Sequence, residues 1–289
     1  MNYFFHIIIM INIYIILSLS LNLIVGMGGM LSICHAAFYG IGAYIGTLLM
    51  VNLGWTFLPA LLVAIIGTAI LSLIISIPSL RLKGDYFILG SMGFQSIVFI
   101  LLYNWTDLTR GPYGISGIPS PSFLDLKISG LPLWFVFSTT VMFICSMFII
   151  FLMKSPFGRT LKSIREDELA AAALGKNIPL FKIKTFALAA GFAAVAGMLF
   201  AGYMRYIDPT SFTMMESVFI LSMIIIGGAG NIRGPVIGAI VLVVLPELLR
   251  FLGMPDAIAA NMRQIIYGLA MIILIRCRPQ GLLGDYKFT

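Results

Sequence analysis

Four stretches of this 289-residue sequence have residue types and spacings that chemistry could use. "GISG", Gly114 to Gly117, has the G-x-S-G look of an intramembrane serine protease, with Ser116 as its nucleophile. "AAALGKN" carries the Gly175-Lys176 pair that closes a phosphate-binding loop. Cys34, Cys145 and Cys277 raise the question of a disulfide or a metal site. "SIREDELAAAALGKN", Ser163 to Asn177, is the densest run of charge and leads straight into four alanines, a pattern suited to docking on another protein.

The first three fail on their own terms. Ser116 lies in a Pro- and Gly-rich loop, and the two histidines, His6 and His35, sit in other segments with no motif that pairs them with it. A serine without a base is not activated. In "AAALGKN" the first glycine of the loop is missing and Asn177 replaces the hydroxyl residue that would hold Mg²⁺, so this chain is not its own ATPase. The cysteines are odd in number and show no paired spacing, which implies packing rather than cross-linking or metal binding. No cofactor is expected on this chain.

The elements that carry the fourth stretch follow from composition. The chain is 60% hydrophobic and 10% charged, with a mean hydropathy of +1.06. A water-soluble core of this size cannot hide that much apolar surface, so the solvent is lipid. The expected fold is all-α: a polytopic transmembrane bundle of about eight to ten spans, forming one domain over residues 1–289. The start, "MNYFFHIIIM", lacks a basic n-region and reads as a retained first span rather than a secretory signal. A net charge of +7 would suit nucleic acid, but its distribution follows the membrane rule instead.

Hydropathy predicts spans at about 4–25, 35–52, 57–80, 87–103, 133–153, 183–204, 215–230, 235–249 and 264–276. The connector from Lys154 to Lys184 holds seven of the 18 basic residues and is assigned to the cytoplasm. Alternation then puts 13 basic residues inside and leaves five outside: Arg110, Lys127, Arg205, Arg250 and Arg263. The C-terminus falls in the cytoplasm, and nine spans put the N-terminus outside. Trp55, Trp105 and Trp134 land at outer span ends, where amphipathic rings favour the headgroup layer.

Within the connector, Ser155-Pro156 ends the fifth span, because proline disfavours helix at the residue before it. At 100° per residue Leu161, Ile164, Leu169 and Ala172 fall on one arc, with Lys162, Ser163, Glu166 and Asp167 off it. Gly175 can close a helix in the left-handed conformation, and Pro179 blocks a restart. The segment 156–175 therefore reads as one short helix, or two with a bend. Its alanines let another backbone come close, and its mixed charges suit register-fixing contacts.

"SPFGRTLKSIREDELAAAALGKN" resembles the cytoplasmic coupling segment of the M-type permease in branched-chain amino-acid ABC importers. "LSLNLIVGMGGMLSICHAAFYGIGAY", "LRLKGDYFILGSMGF", "GPYGISGIP", "IIIGGAGNIRGPVIGA" and "RPQGLLG" resemble that family's blocks in the same order, over nearly the whole chain. The resemblance implies a permease subunit in a prokaryotic plasma (inner) membrane. It also implies an H-type permease partner, two cytoplasmic ATPases that carry ATP and Mg²⁺, and an extracytoplasmic solute-binding protein. Arg165, Glu166, Asp167, Glu168, Ala171 and Gly175 are then the candidate ATPase-docking residues. The sequence departs from the family's pattern at Met30, Cys34 and Tyr113, where a polar residue, glycine and asparagine are common.

Two glycine-rich interruptions, Gly26 to Gly42 and Gly227 to Gly238, stand near opposite ends of the chain. Non-helical backbone at membrane depth survives only where protein buries it or a wet cavity accepts its polar groups. Two readings stand open: ordinary interfacial turns, or paired bends toward a solute pathway that Gly28, Gly29, Met30, His35, Gly228, Gly230 and Asn231 would line. A break within one helix, rather than a turn between two, would change the span count by one. Ala189, Ala193, Gly197 and Ala201, Ala36 with Gly40, and Gly42 with Gly46 repeat at four-residue steps, as backbone-to-backbone packing requires. Glu247 and Arg250 are spaced to pair, and Glu216 and Asp208 are expected as anchors near the outer boundary.

Two rival functions remain in view. A permease for urea or short amides would use the same scaffold. A self-sufficient secondary carrier would need midplane ionisable groups, and the acidic residues here cluster at connectors.

Overall fold

In the computed structural model the described residues are 2–79, 82, 84–123, 126–128, 130–251, 268–269, 276 and 281–283. Helix α1 (Asn2–Asn22) continues through a π-helical turn, Leu23–Met27. It is followed by α2 (His35–Asn52), α3 (Phe57–Leu71), α4 (Leu73–Ser79), α5 (Asp85–Asn104) and the short α6 (Thr106–Thr109). Then come α7 (Leu131–Lys154), α8 (Pro156–Glu166), α9 (Glu168–Ala173), α10 (Ile178–Met204), α11 (Met214–Gly227) and α12 (Arg233–Phe251). Eight of the nine predicted spans are helical; the ninth, 264–276, lies largely outside the described residues. Among the described residues, five helices are long and apolar enough to cross a membrane: Tyr3–Met27, Phe57–Pro78, Asp85–Asn104, Leu131–Lys154 and Ile178–Met204.

Contacts between named residues fix the helix directions. Phe38 packs on Phe186, while added Cβ atoms on Gly42 and Gly46 would strike Ala194 and Met198, so α2 and α10 run parallel. His6 meets Tyr203 near one end of α10, and Arg165 meets Gly26 at the other, so α1 runs against them. The chain therefore reverses between α1 and α2. The first glycine block is a turn between two spans, which puts the N-terminus and α8–α9 at opposite ends of the bundle.

The core is built on small residues. A Cβ on Gly197 would lie 2.3 Å from the carbonyl oxygen of Tyr39, and Ala189, Ala193 and Ala201 are buried alongside. Backbones this close gain dispersion contacts along the whole helix pair. Most of the best apolar window of α10 is buried, 78%, against 17% for α7, so α7 presents its surface outward.

Two local expectations change. Pro179 sits in the first turn of α10 instead of blocking it, since the missing N–H is an orphan there, and Asn177 caps that turn by accepting from the Leu180 N–H at 3.1 Å. Trp134 is buried beside Gly202 rather than standing in a headgroup layer. Ser116 lies in β1 (Ile115–Ser116), which pairs antiparallel with β4 (Tyr206–Ile207) across the N-terminal end. A small hairpin, β2 (Ser122–Phe123) with β3 (Leu126–Lys127), sits in the same loop as Ser116.

Candidate functional site

The charged segment folds as two helices. Ser155 Oγ caps α8 by accepting from the Gly158 N–H at 3.5 Å, with Pro156 at the first helical position, where its missing donor does no harm. Leu161 and Ile164 are buried on the inner face, and Leu161 packs with Met27, Ile149 and Met153. Asp167 then breaks the helix in an extended conformation, and its carboxylate caps α9 by accepting from the Leu169 and Ala170 N–H groups at 2.8 and 3.0 Å. That break takes Leu169 and Ala172 off the arc shared with Leu161 and Ile164. Both are exposed, Leu169 by 82%. Gly175, at φ +74, closes α9 in the left-handed region as expected.

The candidate docking residues divide between two faces. Glu166, Asp167 and Gly175 are exposed, together with Leu169 and Leu174. Ala171 is buried, and Glu168 pairs with Lys182 of α10. Arg165 turns inward: its guanidinium donates to the carbonyl of Gly26 at 2.5 Å and pairs with Glu166.

Arg165 thereby touches the first glycine block. Past the π-turn, the Gly28, Gly29 and Met30 N–H groups still bond to carbonyls of residues 23–25. Gly29 takes φ +67, and a Cβ there would lie 2.6 Å from Arg165 Cγ, so both the conformation and the close approach require glycine. Met30 is partly buried against the core, and Cys34 is buried.

The second glycine block meets the first. Asn22 accepts from the Gly230 N–H at 3.2 Å and donates to the Asn231 carbonyl at 2.7 Å, bridging the two. Asn231 in turn starts α12 by accepting from the Gly234 N–H at 2.8 Å, and it donates to the carbonyl of Leu283. Leu282 and Leu283 donate to the carbonyls of Ile226 and Gly227. Gly228 and Gly230 both have positive φ, +106 and +90, and are buried. The two interruptions, α8–α9 and residues 281–283 thus form one junction at one end of the bundle.

Deeper in, α2 begins inside the bundle. Donors at and just before its first turn, where a helix leaves N–H groups free, find acceptors on neighbouring helices. Ser91 of α5 takes the Ile33 N–H at 3.0 Å, Ser217 of α11 takes that of Ala36 at 2.9 Å, and Gln95 of α5 takes that of Ala37 at 2.7 Å. Gln95 also donates to the carbonyl of Phe212. His35 is fully buried, with Nε2 2.7 Å from Ser20 Oγ. Sequence reasoning passed over Asn22, Ser91, Gln95 and Ser217. The available signal was a lone amide or hydroxyl inside an apolar run, which a bundle interior keeps only if it is bonded.

Glu216 also differs from its expected place. It accepts from the Tyr14 hydroxyl at 2.8 Å. Tyr14 lies about 18 Å from the first residue of α1 and about 20 Å from Met27, at 1.5 Å per residue. Phe212 packs on Tyr39 and Tyr44 within α2, so residues 205–213 dip inward before α11 starts and Glu216 sits near half depth, not at the outer boundary. Glu247 accepts from Tyr3; the side chain of Arg250 lies outside the described residues. Asp208 caps the 3₁₀ turn Pro209–Phe212.

Half-depth helix ends, bonded polar groups in the interior and a charged two-helix segment tied to the reversals describe a multi-pass membrane bundle. The chain belongs to the family described as branched-chain amino acid transport system / permease component, whose profile matches residues 3–275. It is 36% identical over 294 residues to the Escherichia coli K12 high-affinity branched-chain amino acid transport system permease protein LivM, covering 94% of this chain and 68% of that one. It is 30% identical over 249 residues to the probable LivM of Methanocaldococcus jannaschii, covering 82% and 70%. With the Escherichia coli permease protein LivH it shares 24% identity over 292 residues, covering 94% and 91%. No solved structure matches.

Proposed function

We propose that this chain is the M-type permease subunit of an ABC importer that brings branched-chain amino acids into a prokaryotic cell. In this reading a separate H-type permease stands beside it. Two ATPases carry the nucleotide and Mg²⁺, and an extracytoplasmic protein delivers the solute. The end bearing α8–α9, the Gly227–Gly238 block and residues 281–283 faces the cytoplasm, in keeping with the basic residues on that side. The observation that carries the proposal is the contact of Arg165 with Gly26, which ties a segment with an exposed acidic and apolar surface to the first chain reversal, itself joined to the second through Asn22.

Glu166, Asp167, Leu169 and Leu174 dock on the ATPase, and Arg165, Glu168 and Ala171 hold the docking helices to the bundle. ATP-driven closure of the ATPases moves α8–α9, and Arg165 passes that motion to the Gly28–Met30 and Gly228–Asn231 joint beside the solute path. Only a segment with two discrete arrangements transmits such a signal, and glycines at positive φ give the joint its freedom. The test is uptake of labelled leucine, urea and short amides by the reconstituted complex. ATP-dependent leucine accumulation supports the reading. Accumulation by this chain alone on an ion gradient refutes it, and preference for urea moves the substrate class.

A further inference from the structure

We infer that the chain holds one acyl chain of an anionic phospholipid in a cleft between α3, α7 and α10, with Lys184 at the headgroup. The cleft is open along its outward side and has a volume of about 730 Å³. Its walls include Leu61 and Ile65 of α3 and Val141 and Phe148 of α7, and its floor is Gly191 and Val195 of α10. It exists because α7 is fastened elsewhere: Asn12 of α1 donates to Ser138 and Thr139 at 3.1 and 2.9 Å, and Phe5 packs on Phe135. The floor cannot rise to fill the gap, since Gly191 has no side chain and a Cβ there would meet only Ile65, at 3.3 Å.

Shape selects the occupant. The wall from Leu61 to Leu73 runs about 18 Å at 1.5 Å per residue, close to the roughly 15 Å hydrocarbon depth of one leaflet. The lining is apolar throughout, so a polar solute would find nothing to orient it. A flexible hydrocarbon chain meets both conditions.

Charge selects the headgroup. Lys184, Leu188, Gly191 and Val195 share one face of α10, so Lys184 stands one turn beyond the cleft floor, toward α8–α9. The Gly191–Ile65 contact sets the level of the antiparallel α3, and counting residues from it brings Leu73 and Lys184 to the same depth within about 2 Å. Lys182 is engaged with Glu168, whereas Lys184 is exposed and makes no ion pair among the described residues. An ammonium there faces the leaflet at the depth of its phosphates, where its stem can lie along the cleft mouth.

The test uses the full-length protein in vesicles doped with a phospholipid that carries a photoactivatable group midway along one acyl chain. Phosphatidylglycerol and phosphatidylcholine headgroups are compared, and the label is mapped by mass spectrometry. Label should concentrate on peptides holding residues 141–148 and 187–195, about fivefold more from phosphatidylglycerol, the weight of one basic residue beside an anionic surface. Lys184→Gln should equalise the two lipids. Gly191→Leu, which fills the floor, should lower labelling by both; Ala187→Leu serves if Gly191→Leu does not assemble. Label spread evenly over the outward face, unchanged by either filling variant, would mean ordinary annular lipid and would overturn the site. Absence of label there would mean that another chain covers the cleft. Equal labelling by the two lipids in wild type, with Lys184→Gln silent, would overturn the headgroup assignment. None of these readouts depends on transport.

Discussion

Arg165 donates a hydrogen bond to the carbonyl oxygen of Gly26 across 139 residues of sequence, at 2.5 Å. The arginine belongs to the charged segment outside the spans, and the glycine to the turn that ends the first span. The pair joins the part of the chain that can meet another protein to the part that shapes the bundle's end.

If that bond transmits motion, Arg165→Ala should leave the complex assembled and hydrolysing ATP while leucine uptake falls by about tenfold or more. The bond has a charged donor, a class whose net worth is about 1.5–3 kcal/mol. Arg165→Lys should recover only part of the activity, because an ammonium lacks the planar fork that serves Gly26 and Glu166 together. Equal losses of hydrolysis and uptake would instead point to failed assembly.

The exposed surface of α9 makes a separable prediction. Leu169→Asp or Leu174→Asp should lower co-purification of the ATPase while the permease stays folded, since both side chains are more than three-quarters exposed. Ala171→Trp should act differently. Ala171 is buried, so the ring would overpack the segment at a cost of about 1–3 kcal/mol, visible as a lower unfolding temperature of the permease alone.

Asn22→Leu should unlock the two glycine blocks. It removes the acceptor for the Gly230 N–H and the donor to the Asn231 carbonyl in a buried setting. Leaving those groups unsatisfied costs about 1–3 kcal/mol each. Thermal unfolding in detergent measures the loss, and Asn22→Asp, which restores only the acceptor, should fall between wild type and leucine.

Gln95→Leu should be among the most damaging single changes in the spans. The amide serves the Ala37 N–H, the Ser217 hydroxyl and the Phe212 carbonyl at once. Gln95→Glu keeps the acceptor but loses the donor to Phe212. Its stability, read by thermal unfolding, should lie between those of the leucine variant and wild type.

Tyr14→Phe should destabilise the protein by leaving Glu216 without its phenol donor near half depth, and Glu216→Gln in the same chain should restore part of the loss. A double-mutant cycle on unfolding temperatures reads the coupling directly; additive effects would show that the two side chains do not depend on each other.

Much of the molecule was legible in the sequence because it rests on local properties. Hydropathy summed over a span placed eight helices to within a few residues, and Ser155-Pro156 and Gly175 marked breaks that φ restrictions alone demand. The charged segment and the two glycine blocks stood out for the same reason. That these features meet was decided by the tertiary structure. The donors at the start of α2 find acceptors 58 and 181 residues away, Asn22 reaches across 209 residues to Asn231, and Glu216 lies near half depth because residues 205–213 dip inward first. Periodicity and propensity act within a turn or two of helix. The choice of partner for a buried polar group depends on which helices pack side by side, and that follows from Gly42, Gly46 and Gly197 letting two backbones approach.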